Sequence, residues 1–506
     1  MPRLPTPPKP RQSTAKPALN QRAQAQLQQL FMQGVGLHQE GKLDQAKVFY
    51  ELVIQANPQH FDALHLLGVL ASQSKQDEAA VELIDRAIQI NPRNEAFHSN
   101  RGIALKNLGR LDAALESFDK AIRIKPNYAE AYCNKGAVLH ELRQLQAALA
   151  SYDKALQIRP NYLEAHSNRG AVLRDLKRLG EAIASFDKAI RLKADYADAH
   201  WNKGLALLLA GDWESGLALF EWRWKRDKFT SRKQNFQQPL WLGAEPLQGK
   251  TILLHCEQGL GDTLQFCRYA RQVKALGAHV VLEVQASLVA LAHTLQGVDQ
   301  VLPIGAPLPA FDYHCPLMSL PLAFKTTQHQ LPNAVPYLHA SPDKVALWER
   351  KLGSKTKPRV GLVWSGSVAI KGAPERSIQL EALLPHLPES MQYVCLQKEL
   401  REVDTAAQKN SAIHYFGEEI ADFTDTAALC ELMDLVISID TSTAHLAGAL
   451  GKPTWVLLAH VPDWRWLLDR EDNPWYPSAR LFRQSADTDW SGVLQRIGEE
   501  LKLLRH

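Results

Sequence analysis

Residues 102–135 read GIALKNLGRLDAALESFDKAIRIKPNYAEAYCNK, and residues 136–169 read GAVLHELRQLQAALASYDKALQIRPNYLEAHSNR. The two stretches keep glycine, small, large and apolar positions in one frame, and the frame extends both ways. Gly34, Gly68, Gly102, Gly136, Gly170 and Gly204 recur every 34 residues. Twelve positions after each glycine stands a small residue (Ala46, Ala80, Ala114, Ala148, Ala182, Gly216), and four further on a large one (Tyr50, Ile84, Phe118, Tyr152, Phe186, Phe220). Pro58, Pro92, Pro126 and Pro160 close four of the units. A fixed period of this length marks one supersecondary unit copied along the chain. Each unit reads as two short amphipathic helices: small residues let the backbones approach, the large side chain fills the angle, and proline ends the second helix. A single hairpin of this kind cannot bury its apolar face, so six copies are expected to stack into a superhelix with a concave inner surface.

A second period runs through the array. Asn100, Asn134, Asn168 and Asn202 each stand two residues before the repeat glycine, where the first two units carry Met32 and Leu66. A carboxamide is both donor and acceptor, which suits it to the main chain of an extended peptide; the same positions also suit a plain polar residue on a solvated helix face.

The 506 residues exceed one core of ordinary size, so two or three folding units are expected. Hydrophobic residues at 45%, charged residues at 22% and a formal charge of +4 are ordinary globular values and call for no nucleic-acid partner. Residues 1–24 are basic and proline-rich without the apolar core of a signal peptide, and read as a disordered tail. No apolar run is long enough to span a bilayer. The six cysteines, Cys133, Cys256, Cys267, Cys315, Cys395 and Cys430, are scattered without a C-x-x-C, which predicts buried thiols and a cytoplasmic setting. No H-E-x-x-H or Cys/His spacing points to a metal, and no cofactor is expected.

Composition changes after the sixth unit. No tryptophan precedes Trp201, and Trp201, Trp213, Trp222, Trp224 and Trp241 then follow together. From there short apolar runs alternate with helical ones, the pattern of a parallel sheet with crossover helices. Strands are predicted at Thr251 to Cys256, His279 to Val284, Val301 to Ile304 and Phe311 to Cys315. A second set is predicted at Arg359 to Trp364, Tyr393 to Glu399, Leu435 to Ile439 and Thr454 to Leu458. After the first strand comes Glu257-Gln258-Gly259-Leu260-Gly261-Asp262, with Asp262 at a helix N-cap position and the helix starting near Thr263. This is not a dinucleotide fingerprint, because Leu264 occupies the third glycine position, which argues against nicotinamide redox chemistry. Later, a buried strand ends at Asp440, and Thr441, Ser442 and Thr443 open a helix. Hydroxyls and free amides there, at the carboxyl edge of a parallel sheet, form an anion site.

The 34-residue frame over residues 27 to about 225 resembles the tetratricopeptide repeat, and the asparagine period is similar to a feature of protein O-GlcNAc transferases. The G-L-G-D-T-L turn and the D-T-S-T-A-H-L-A-G-A-L-G-K-P segment resemble the two halves of the family 9, heptosyltransferase-like glycosyltransferases. The resemblance implies a GT-B pair of Rossmann-type halves after the repeats: a connector and first half over residues 229–345, and a nucleotide-sugar half with a terminal helix over 346–506, the repeats occupying 25–228. It also implies a metal-independent transfer of a sugar from a nucleotide-diphosphate donor to a hydroxyl acceptor, a protein or peptide being recruited by the repeats through Asn100, Asn134, Asn168 and Asn202. By matched position, Asp262 is the general base. Asp440, Thr441, Ser442, Thr443 and His445 belong to the donor segment, and Ser365, Gly366, Lys371 and Arg376 to the phosphate-binding loop. This loop reads Ile370-Lys-Gly-Ala-Pro-Glu-Arg376 where many relatives carry an H-K-N-D-R-type run. The same residues have plainer uses: Asp262 and Asp440 as helix caps, His445 as a core histidine, Lys371 and Arg376 as solvated charges. In that case the chain is an interaction scaffold with a degenerate transferase-like part.

Overall fold

Two helices form from each 34-residue unit: α1 (Gln21–Gln39) and α2 (Leu43–Ala56), α3 (Phe61–Gln73) and α4 (Asp77–Ile90), α5 (Glu95–Asn107) and α6 (Leu111–Ile124), α7 (Ala129–Glu141) and α8 (Leu145–Ile158), α9 (Leu163–Asp175) and α10 (Leu179–Leu192), α11 (Ala197–Ala210) and α12 (Trp213–Phe220). The computed structural model describes residues 21–227, 229, 236–257, 259–366 and 376–504. The repeat glycines act as the sequence pattern requires. A Cβ added to Gly102 would stand 2.8 Å from the Phe118 ring, one on Gly68 2.7 Å from Ile84, and one on Gly136 2.9 Å from Tyr152. Ala46, Ala80, Ala114, Ala148 and Ala182 are fully buried at the same crossings.

The chain divides into two compact units, the first ending at Val172 and the second beginning at Leu173. In the first, a ladder of ion pairs sixteen positions apart joins the second helix of one repeat to the first helix of the next: Asp85 to Arg101, Asp119 to Lys135 and Asp153 to Arg169, each at 2.6 Å. In the second unit the ladder has the rung Asp187 to Lys203, again 2.6 Å. Half-exposed pairs of this kind contribute about 0–1 kcal/mol each, so their effect is on inter-repeat register more than on stability.

The second unit contains α10 to α12 and two parallel sheets. The first sheet comprises β1 (Thr251–His255), β2 (His279–Val284), β3 (Gln300–Pro303) and β4 (Tyr313–Pro316), in the order β3-β2-β1-β4. The second comprises β5 (Arg359–Val363), β6 (Gln392–Cys395), β7 (His414–Tyr415), β8 (Leu435–Ile439), β9 (Thr454–Leu458) and β10 (Ala479–Arg483), in the order β10-β9-β8-β5-β6-β7. Side chains alternate across the second sheet: Val360, Leu362 and Trp364 pack with Ile437, Leu457 and Ile497 on one face, while Val363 and Val436 face a larger core. That larger core runs from Trp213 and Phe220 of the sixth repeat through Leu254 and Leu264 to Trp464 and Trp475. Trp213 stacks on Trp475 at 5.3 Å and meets Trp464 edge-on at 5.7 Å. The repeat pattern ends near residue 225, yet the compact unit containing the sheets begins earlier, at Leu173, because the last repeat shares their core.

Strands β2, β8 and β9 have the predicted bounds, and five others fall within a few residues of theirs. The two-residue β7 and the charge-flanked β10, ARLFR, lack a long apolar run and were not predicted. One local detail is corrected. Helix α13 (Leu260–Phe266) starts three residues earlier than expected, with Gly259 as N-cap; Asp262 is its third residue and reaches back to accept from the Gly259 N–H at 3.0 Å. A carboxylate there satisfies a free amide of the first turn as well as one at the cap does. All six cysteines are free and buried. Among the described residues no helix is long and apolar enough to cross a membrane.

Candidate functional site

Strand β1 delivers α13 to the carboxyl edge of the first sheet, and β8 delivers helix Ser442–Ala449, with Thr441 as N-cap, to that of the second. The two helix starts meet. A Cβ on Gly261 would stand 2.8 Å from the His445 ring and 3.5 Å from the Ser442 Cα, so only glycine permits this approach. Beside the contact a pocket of about 290 Å³ remains open, lined by Leu260 and Ser287 from the first sheet's loops and by Ser365, Gly366 and Thr441 to Thr443 from the second's. The turn carrying Asp262 and the helix following Asp440 thus lie on one cleft.

Ser365 is buried at the end of β5, where its N–H and that of Trp364 donate to Gln397 Oε1 at 3.0 and 2.7 Å, and its hydroxyl accepts from Gln397 Nε2 at 2.8 Å. Gln397 therefore shapes the pocket floor. The Thr441 hydroxyl pairs with Ser438 Oγ at 3.0 Å. Arg376, half exposed, reaches Asp440 at 3.5 Å. Lys371 lies outside the described residues.

The cleft's charges are dominated by a residue the sequence reading did not single out. Arg465 is 6% exposed; its Nη2 donates to Asp262 Oδ1 at 2.5 Å and its Nη1 to Asp463 Oδ1 at 2.7 Å. Burial raises the Asp262 carboxyl above its ordinary value, against the opposing pull of Arg465. Burial would also raise Asp463, but Arg465 and its hydrogen bonds hold it below the usual range. Asp440 is pushed up to about 6 by burial and by the nearby Asp463, with Arg376 opposing. His445 is lowered to about 3 by burial and by Arg465; its Nδ1 pairs with the Tyr476 hydroxyl at 3.0 Å and its ring stacks on Trp466. It is neutral at pH 7, so its 3.9 Å approach to Asp440 is not a charge pair.

The four asparagines stand half-buried on α5, α7, α9 and α11. Asn100 Nδ2 meets His65 Nε2 at 2.8 Å, Asn202 Oδ1 accepts from Arg174 at 3.1 Å, and the Asn168 side chain hydrogen-bonds the Cys133 thiol. A D-x-D triplet stands at Asp487-Thr488-Asp489. Asp487 spends its Oδ1 on the Ser485 hydroxyl at 2.6 Å and the Asp489 N–H at 3.2 Å, in a turn before the last helix. The signal for Arg465 was in the sequence: Trp464-Arg465-Trp466 repeats the triplet Trp222-Arg223-Trp224, and an arginine between tryptophans is suited to burial.

Descriptions of the TPR repeat match residues 104–143 and 170–211, and descriptions of the tetratricopeptide repeat match residues 37–104 and 129–162. The chain carries tetratricopeptide repeats. Protein FlbA of Caulobacter vibrioides is 30% identical over 297 residues, which cover 52% of this chain and 48% of that protein. The chain thus spans about half the length of the curated relative it matches. Among solved structures, the tetratricopeptide part is similar to PilF of Pseudomonas aeruginosa (19% identity, TM-score 0.36, 39% of this chain and 89% of that one). It is also similar to MamA of Desulfovibrio magneticus RS-1 (22% identity, TM-score 0.31, 33% of this chain and 97% of that one).

Proposed function

We propose that the second unit is a glycosyltransferase of the GT-B kind, its two sheets being Rossmann-type halves, and that the tetratricopeptide repeats recruit a protein or peptide acceptor. The observation that carries this is the pocket at two facing carboxyl edges, with the start of α13 on one side and a hydroxyl-rich helix start on the other. The donor's diphosphate lies at Thr441, Ser442 and Thr443, against the amides of the helix start, with Ser365 and Gly366 beneath it and Arg376 on its charge. Asp262 takes the proton of the acceptor hydroxyl as that oxygen bonds to the anomeric carbon. The bond from that carbon to the phosphate oxygen breaks, and the nucleoside diphosphate leaves. The carboxamides of Asn100, Asn134 and Asn168 in the first unit meet the recruited main chain.

A non-catalytic scaffold is favoured by one specific observation: the Asp262 carboxylate is engaged by Arg465 and Gly259 and does not line the pocket. The two readings part in one assay. Full-length protein incubated with a panel of nucleotide sugars is followed for release of nucleoside diphosphate, with water as the default acceptor. The transferase releases it from one donor, and Asp262→Asn reduces the rate at least 100-fold while donor binding persists. The scaffold releases none.

A further inference from the structure

Glu257 lies in the turn between β1 and α13 and Asp262 in the first turn of α13, and each is held by the arginine of a Trp-Arg-Trp triplet. Arg223, between Trp222 and Trp224 at the end of the sixth repeat, grips Glu257 with two hydrogen bonds: Nε to Oε2 at 2.9 Å and Nη2 to Oε1 at 2.8 Å. It also donates to Glu221 at 2.6 Å and to the Ser319 hydroxyl at 2.7 Å. Both side chains of the Arg223 and Glu257 pair are 1% exposed. Arg465, between Trp464 and Trp466, holds Asp262 as described. The settings match: Arg223 lies over the rings of Phe220 and Trp224 at 4.7 and 4.9 Å, and Arg465 over those of Phe266 and Trp464 at 5.1 Å each.

Stability alone is a weak account of two such arginines. Desolvating a guanidinium and a carboxylate costs about as much as their attraction returns, so a well-packed apolar pair serves a core equally well. Arg465 even leaves its buried Nε without a partner. What the two arginines do that apolar side chains cannot is fix the direction of two carboxylates.

Resting on the transferase reading above, we propose that Arg223 and Arg465 form a two-point clamp on this turn and are positioning residues for Asp262. The last tetratricopeptide repeat is thereby part of the catalytic apparatus as well as part of the recruiting array. Asp262 is faced by Arg465 and Asp463 from the segment after β9 and by Glu257 from the turn before α13, with His445 of the second sheet against the adjoining Gly261. Arg465 is the cation bonded to it, so its removal moves the acid's titration upward.

The test uses the full chain with Arg223→Gln, Arg465→Gln and the charge-keeping Arg223→Lys and Arg465→Lys. Hydrogen exchange is read first. Each Gln variant speeds exchange of amides 260–266 at least tenfold while those of α3 to α8 and of β8 keep their protection, and the Lys variants recover part of the difference. Unchanged exchange at 260–266 in both Gln variants overturns the clamp, as does equal loss of protection everywhere. Nucleoside-diphosphate release is read second. Arg465→Gln shifts the acid limb of its pH profile upward by at least one unit, and Arg223→Gln lowers kcat with little change in KM. An unmoved limb, or a change in KM alone, overturns the positioning role. If the wild-type chain releases no nucleotide from any donor, the transferase reading fails and the positioning role with it, while hydrogen exchange still decides the clamp.

Discussion

Arg465 Nη2 donates to Asp262 Oδ1 at 2.5 Å across 203 positions of sequence, tying the segment after β9 to the first turn of α13. Because the guanidinium also serves Asp463, its removal leaves two carboxylates short of a cation in a buried setting. Arg465→Gln is expected to destabilise the second unit by about 3–5 kcal/mol, the usual cost of stranding one partner of a buried pair. Arg465→Gln combined with Asp262→Asn is expected to cost less than the two single changes summed, because one of the two stranded carboxylates is gone. Urea unfolding of the four proteins measures the cycle.

At the repeat crossings, Gly102→Ala places a methyl 2.8 Å from the Phe118 ring, and overpacking of this kind costs about 1–3 kcal/mol. Gly36, inside α1, has nothing within 4 Å of an added Cβ, so Gly36→Ala is expected to stabilise by about 0.5–1 kcal/mol through helix propensity. Opposite signs for one chemical change, read by urea unfolding, separate the crossing glycine from the incidental one.

Asp440 titrates in the folded chain at about 6 against 3.8 when free of the fold. An acid with a raised folded value binds its proton more readily when folded. Its favourable contribution is complete below about pH 4 and lost as pH rises through about 6. At 1.36 kcal/mol per unit the loss is about 3 kcal/mol. Asp440→Asn should therefore gain on wild type by about that amount between pH 4 and pH 7. His445 runs the other way, losing stability as pH falls below 6.5 toward about 3, and is common to both proteins, so the difference curve isolates Asp440.

Trp213 belongs to the sixth repeat in sequence and to the α/β core in space. Trp213→Ala removes a side chain packed on Trp464 and Trp475 and is expected to cost about 3–5 kcal/mol. The loss should appear in unfolding of the second unit, followed by exchange of β8 amides, and not in that of α3 to α6.

How much of this the sequence disclosed depends on how local each signal is. The crossings of Gly102 with Phe118 and Gly136 with Tyr152 were legible because the pattern is short and copied. Strands such as Leu435–Ile439 were legible because a buried parallel strand is a continuous apolar run. The meeting of Gly261 with His445 joins residues far apart in the chain, and the resemblance paired the two motifs as halves of one domain without showing that a glycine was needed for contact. Arg465 was visible only as an arginine between tryptophans. That it would be spent on Asp262 depends on how the segment after β9 folds back, which no local pattern encodes. The start of α13 was misplaced because a carboxylate serves both the cap and the third position, and sequence alone does not choose between them.

The most direct test of the cleft is calorimetric titration of the full-length chain with nucleoside diphosphates and their sugars, alongside Arg376→Ala and Thr443→Val. The account predicts that one nucleotide binds with one-to-one stoichiometry and that Arg376→Ala weakens it about tenfold, equivalent to about 1.4 kcal/mol. No binding by any nucleotide, or binding indifferent to both substitutions, contradicts it.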